Sequence, residues 1–207
     1  MTPSLPKEVV RAGYDAISWS YRSDDFDATG TWYETLLDAL ESRVPDGSRV
    51  LDLGCGCGVP VAQRLAIRHR LVGVDISERQ IERAQLLVPG ATFIRGDMTE
   101  LAFDPDSFDA IVAFFAIIHV PLDQHEALLD SVASWLRPGG VATLTVGDAA
   151  WTGSEGDWYG APMYWSHADR DTYRDWLVER GLRVEEEWFV PENEGGHAAF
   201  LVRSLDA

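Results

Sequence analysis

Hydrophobic positions recur along this chain with two alternating periods. Val9, Val10, Gly13, Ile17 and Tyr21 fall at helical spacing and predict a helix over about residues 6–23. The polar run Ser23-Asp24-Asp25-Phe26-Asp27 breaks it. A second helix is expected over about Trp32–Val44, with Thr31 as N-cap and Glu34 closing a capping box. Pro45-Asp46-Gly47 then turns the chain. From there, short apolar runs at about Arg49–Leu53, Arg70–Asp75, Ala91–Arg95, Phe108–Phe114 and Val141–Val146 read as buried strands. Between them, helices are expected from Pro60 to about Arg68, from a Ser77/Gln80 capping box to about Val88, and over about Leu122–Leu136. Pro121 fits the first helical position of the last one, and Pro138-Gly139-Gly140 stops it.

The rhythm breaks at residues 148–166, where Trp151, Trp158, Tyr159, Tyr164 and Trp165 lie among glycines. A helix over about Ala168–Arg180 follows, then strands at about Leu182–Val190 and His197–Arg203. The short link between those strands makes them an antiparallel hairpin. Strands alternating with helices mean a parallel sheet covered on both faces. The expected fold is therefore α/β: a Rossmann-like, doubly wound, mainly parallel seven-stranded sheet with a C-terminal antiparallel hairpin. One domain is expected, with N-terminal helices at 1–44, an α/β core at 45–147, an aromatic insert at 148–167 and a closing helix and hairpin at 168–207.

Composition narrows the partners. The chain has 207 residues, 46% of them hydrophobic, enough for one full core. Its formal charge of -17 repels phosphate backbones, so a nucleic-acid substrate is not expected. The longest apolar stretch, Ala110 to Ile118, is about half of what spans a bilayer. Met1–Pro6 lacks a basic region followed by an apolar run, so no signal peptide is visible. The only cysteines, Cys55 and Cys57, lie too close together for an easy bridge and lack partners for a zinc site. A reduced, cytoplasmic protein, monomeric or homodimeric and free of membrane and nucleic acid, is expected.

The chemistry gathers around Val50-Leu51-Asp52-Leu53-Gly54-Cys55-Gly56-Cys57-Gly58. A strand ends there in a glycine turn spaced G-x-G-x-G, not the G-x-G-x-x-G of dinucleotide binders. Asp75 closes the next strand, where a carboxylate suits ribose hydroxyls. Gly73-Val74-Asp75-Ile76-Ser77, Gly96-Asp97-Met98, Phe108-Asp109-Ala110-Ile111-Val112 and Leu136-Arg137-Pro138-Gly139-Gly140 follow in order. Together these pieces resemble the class I S-adenosylmethionine-dependent methyltransferases, in particular their small-molecule branch. The resemblance covers about Pro45–Val146.

That resemblance implies roles. Gly54, Cys55, Gly56 and Gly58 would turn under the methionine part of S-adenosylmethionine, and Asp52 would hold the turn or reach the amine through water. Asp75 would accept the ribose hydroxyls, and Ile76 would pack on the adenine. Gly96, Asp97 and Met98 would meet the adenine edge, and Phe114 would lie beside the methionine. Tyr14 and Tyr21, one heptad apart on the first helix, read as a closing lid or as plain core packing. His119, just past the fourth strand, reads equally as a base or as a capping residue before Pro121.

The acceptor half has no motif. Trp151, Tyr164, Trp165 and His167 follow the fifth strand and could wall an acceptor pocket, or simply cover the core. His197 reads as core or surface. No second and third ligand accompany Asp148, so no metal is expected. The reading is methyl transfer from S-adenosylmethionine, releasing S-adenosylhomocysteine, to an O or N nucleophile of a small molecule. Its competitors are a cofactor-binding protein of this fold without transferase activity, and methylation of a peptide or protein.

Overall fold

A computed structural model describes residues 5–192 and 195–205. The elements run α1 (Pro6–Tyr21), α2 (Trp32–Glu41), β1 (Arg49–Leu53), α3 (Val61–Leu65), β2 (Arg70–Asp75), α4 (Glu78–Leu87), β3 (Thr92–Arg95) and β4 (Phe108–Ala113). Two single 3-10 turns, Ile117–His119 and Leu122–Gln124, lead into α5 (His125–Trp135) and β5 (Leu136–Gly147). Then come β6 (Trp151–Trp158), β7 (Ala161–His167), α6 (Arg170–Glu179), β8 (Leu182–Glu192) and β9 (Gly195–Ser204).

Seven strands form one sheet in the order β3-β2-β1-β4-β5-β9-β8. The first five pair in parallel, β9 runs antiparallel to β5, and β8 pairs antiparallel with β9. This is the expected doubly wound sheet. Successive connections leave β1 and β4 in opposite directions, so a crevice opens at their carboxyl ends, the usual ligand edge. Each face of the sheet buries its own core. Leu36, Leu37, Leu40 and Leu65 pack on one side; Leu129, Val132, Tyr173 and Leu177 pack on the other.

Several local expectations shift. Thr31 makes no capping bond through its side chain, because its hydroxyl donates back to the Ala28 carbonyl. Glu34 instead accepts from the Gly30 N–H at 2.7 Å, so the box closes one residue early. At Ser77 the hydroxyl does cap Gln80 N–H, but the Gln80 side chain turns away to accept from Ser18 at 2.8 Å. Helix α5 ends at Trp135, and Pro138-Gly139-Gly140 lies inside the first half of β5, where pairing with β4 is irregular. Pro121 precedes a 3-10 turn rather than opening the α-helix.

The stretch after β5 is ordered. β6 and β7 form a separate two-stranded antiparallel sheet. It stands at the ligand edge and packs on α1 through Val10, Ile17, Ala161 and Met163. A Cβ on Gly13 would sit 2.7 Å from the Pro162 carbonyl, so only glycine lets the helix come this close.

Candidate active site

The glycine turn is a backbone construction. Gly54, Gly56 and Gly58 have φ of 74°, 53° and 83°, the left-handed region that side chains disfavour. Gly54 and Cys55 N–H groups both donate to the Val74 carbonyl, at 2.8 and 2.9 Å, tying the turn to β2. A Cβ on Gly54 would lie 2.2 Å from that of Ala116. At Gly56 a Cβ would meet nothing, because that side of the turn is open.

Two carboxylates stand behind it, Asp52 buried and Asp75 half-buried. Asp75 accepts from Gly56 N–H on one oxygen and from Ser77 N–H on the other, both at 2.9 Å. Each oxygen keeps a lone pair for a ligand. Burial raises the Asp75 carboxyl to about 6, against the pull of those N–H bonds. Asp52 is 2% exposed, and its Oδ2 has no hydrogen-bond partner among the described residues. Burial first, and the Asp75 charge second, push it up to about 8. Burial also raises the Cys55 thiol, so it stays protonated. An unpartnered buried acid and a second one with spare lone pairs, beside an open turn, suit a ligand that brings hydroxyls and positive charge.

A cavity of about 950 Å³ spans this turn, and the expected residues meet in it. Tyr14, Tyr21, Asp52, Gly54, Cys55, Gly56, Asp75, Ile76, Gly96, Asp97, Met98, Phe114 and His119 all line it. Gly58 does not; its Cβ position faces Val88 and Ala84 under the turn. At the far end Lys7 pairs with Asp97 at 2.7 Å, while Thr99 donates to the other oxygen. Burial pushes the Asp97 carboxyl up, but Lys7 and Thr99 outweigh it and hold it below its usual value. Lys7 carries no motif, and only the path of α1 brings it here.

Tyr14 and His119 meet. The His119 Nδ1 lies 2.7 Å from the Tyr164 carbonyl, which can only accept, so Nδ1 carries the proton. Nε2 is then the acceptor, and the Tyr14 hydroxyl donates to it at 2.9 Å. Burial lowers the imidazole to about 4. His119 is thus neutral and its one lone pair is already engaged, which differs from a free base at the strand end. Burial likewise keeps Tyr14 protonated.

Arg22 was not singled out by sequence reading. It caps the C-terminus of α1 and lies 4.0 Å over the Phe26 ring, donating to the Tyr33 hydroxyl at 3.0 Å. No carboxylate among the described residues pairs with it, although most other arginines here are paired. Phe115 is also new: it holds φ of 55°, unusual for a side chain of its size, and its N–H is caught by the Thr145 hydroxyl.

A second cavity, of about 1690 Å³, adjoins the first and shares Tyr14, Tyr21, Arg22, Tyr33, Phe115 and His119 with it. Trp151, Trp165 and His167 line it as expected. Tyr164 lines neither cavity; its ring packs into the cluster under α1, and only its carbonyl serves the site. His197, read as core or surface, is in the wall of this second cavity, 2.7 Å from Glu192, with Nδ1 buried and unpartnered among the described residues. Asp148 pairs with Arg170 at 2.7 Å. Among the described residues no group of three or more His, Cys, Asp or Glu could hold a metal.

Residues 50–140 match the family model described as a methyltransferase domain. The sterol 24-C-methyltransferase of Clavispora lusitaniae is 31% identical over 128 residues, 58% of this chain and 33% of that protein. The 27-O-demethylrifamycin SV methyltransferase of Amycolatopsis mediterranei is 34% identical over 169 residues, 72% of this chain and 60% of that protein. The chain thus spans a third to three fifths of the length of these relatives. Among solved structures, the [4+2]-cyclase SpnF superposes with a TM-score of 0.73 at 16% identity, covering 95% of each chain. That likeness concerns the fold.

Proposed function

We propose that this chain, which carries the methyltransferase domain of the class I S-adenosylmethionine-dependent methyltransferases, moves a methyl group from S-adenosylmethionine to an oxygen or nitrogen of a small molecule. The observation that carries the reading is a buried carboxylate with an unpartnered oxygen, Asp52, next to a half-buried one, Asp75, beside a left-handed glycine turn. The donor supplies an activated methyl on a sulfonium and two further charges, an ammonium and a carboxylate.

Asp75 accepts the ribose hydroxyls with the lone pairs that Gly56 and Ser77 leave free. Asp52 takes the ammonium, and Arg22, unpaired on the same cavity, takes the carboxylate. Ile76, Asp97 and Met98 hold the adenine end. Methyl transfer then needs mainly positioning. Tyr14 meets the acceptor at the boundary of the two cavities, and His119 aligns the Tyr14 hydroxyl. His167 is half-buried in the second cavity and kept neutral by burial. Its Nδ1 faces the Ala168 carbonyl, leaving Nε2 to accept a proton. Trp151 and Trp165 wall the acceptor.

The relatives named above act on small molecules, which supports the acceptor class. The charge of -17 argues against nucleic acid. No helix among the described residues is long and apolar enough to cross a membrane. The cyclase of the same fold favours one second reading, a donor-binding protein with another reaction. Calorimetric titration with S-adenosylmethionine and S-adenosylhomocysteine tests binding, and no heat with either overturns both readings. Binding without methyl transfer to any of a metabolite panel favours the second.

A further inference from the structure

The second cavity has an internal order that points to the shape of what it holds. Aromatic rings form a continuous ladder from the boundary to solvent. Tyr14 touches Trp158 at 5.9 Å between ring centres, Trp158 touches Trp165 at 5.5 Å, and Trp165 touches Trp151 at 5.9 Å. The first two contacts are edge to face, at 81° and 89°. Three of the four rings belong to the β6–β7 hairpin. At the outer end Trp151 is 50% exposed, and Tyr159, packed edge-on against Trp158 and Tyr21, is 59% exposed. Large rings left in water at the mouth of a cavity mark a ligand surface rather than a core.

We infer that the acceptor is an extended, rigid, uncharged molecule of several fused rings, lying along this ladder with its nucleophilic end toward Tyr14. The inference rests on the methyl-transfer reading and names its substrate class. Three physical points select this class. The rings stand in a row of four, so a guest that touches them all is extended. A rigid ring system loses little internal freedom when it docks, whereas a flexible chain loses a rotamer at every bond. Rings set edge to face present both faces and edges to a flat guest. Charge selects further. Glu155 and Glu192 both line the cavity and disfavour an acidic guest.

Equilibrium dialysis of the full chain against phenol, 2-naphthol, 9-phenanthrol and 1-decanol tests this without knowledge of the natural acceptor. Affinity should rise at least tenfold from phenol to 9-phenanthrol, and 1-decanol should bind more weakly than 9-phenanthrol. Trp165→Ala and, at the exposed rim, Trp151→Ala should each remove a large part of the gain, with folding checked by thermal melting. Affinity flat across ring number, 1-decanol equal to 9-phenanthrol, or a gain surviving both substitutions overturns the inference. Titration with S-adenosylhomocysteine is run separately, so loss of the donor reading is recognised on its own.

Discussion

The two cavities share a wall and are built by opposite means. The inner one is made of backbone: a left-handed turn, N–H groups aimed at a carboxylate, and a Cβ-free approach to Ala116. The outer one is made of side chains, from α1 and the chain that follows it as well as from the β6–β7 hairpin. A backbone site admits few residue types at each position, because dihedral angles and close contacts forbid the rest. A side-chain wall needs only bulk and aromaticity somewhere along two strands. The first kind leaves a readable pattern and the second does not.

Gly54→Ala is the sharpest way to break the inner site. A methyl would meet Ala116 Cβ at 2.2 Å and φ is 74°, so strain and overpacking together should cost about 2–5 kcal/mol. Thermal melting should fall and donor binding should vanish. Gly139→Ala, with a similar φ of 75° but open space around it, should cost only about 1–2 kcal/mol and is the matched control. Equal melting shifts for the two would deny that close approach matters at the turn.

Asp75→Asn keeps the shape and removes the charge. Donor affinity should drop by about 1–3 kcal/mol, read by calorimetry. An unchanged affinity would reject the ribose contact.

The buried Asp52 makes the inner site pH-sensitive. Its folded value of about 8 lies above its unfolded 3.8, so it favours the ligand-free fold fully only below that unfolded value. That contribution is lost as pH rises through about 8. A cationic ligand needs the ionised form, so donor affinity should climb with pH toward 8 and binding should release a proton. Titrations in buffers of differing ionisation enthalpy would detect the proton. Asp52→Asn should flatten the climb, and a slope that persists in it points to another group.

Trp151→Ala should affect donor affinity least, by under about 0.5 kcal/mol, because the ring lines only the outer cavity. A large loss would mean the two cavities are not separable.

How much was legible follows the same division. The sheet, its order of elements and the C-terminal hairpin were readable, because apolar runs of strand length between capped helices leave few topologies. Asp52, Asp75, Ile76, Asp97, Met98 and Phe114, all named from the motif, line the inner cavity together. Lys7, Arg22 and Tyr33 were missed, because their place depends on how α1 and α2 lie across the sheet edge. His119 was found, but its engagement by Tyr14 was not, since a hydrogen bond spanning 105 positions leaves no local trace. Residues 148–166 were read as irregular because their aromatics do not alternate with polar residues. The strands form because α1 covers one of their faces.

Helix α1 touches both cavities at once. Lys7 reaches Asp97, Tyr14 reaches His119, and Gly13 rides on the backbone of β7. Any movement of this helix that admits one ligand therefore displaces the wall of the other. The two occupancies are then linked by a single coupling free energy, and linkage makes it reciprocal. Whatever factor a bound donor adds to acceptor affinity, a bound acceptor must return to the donor.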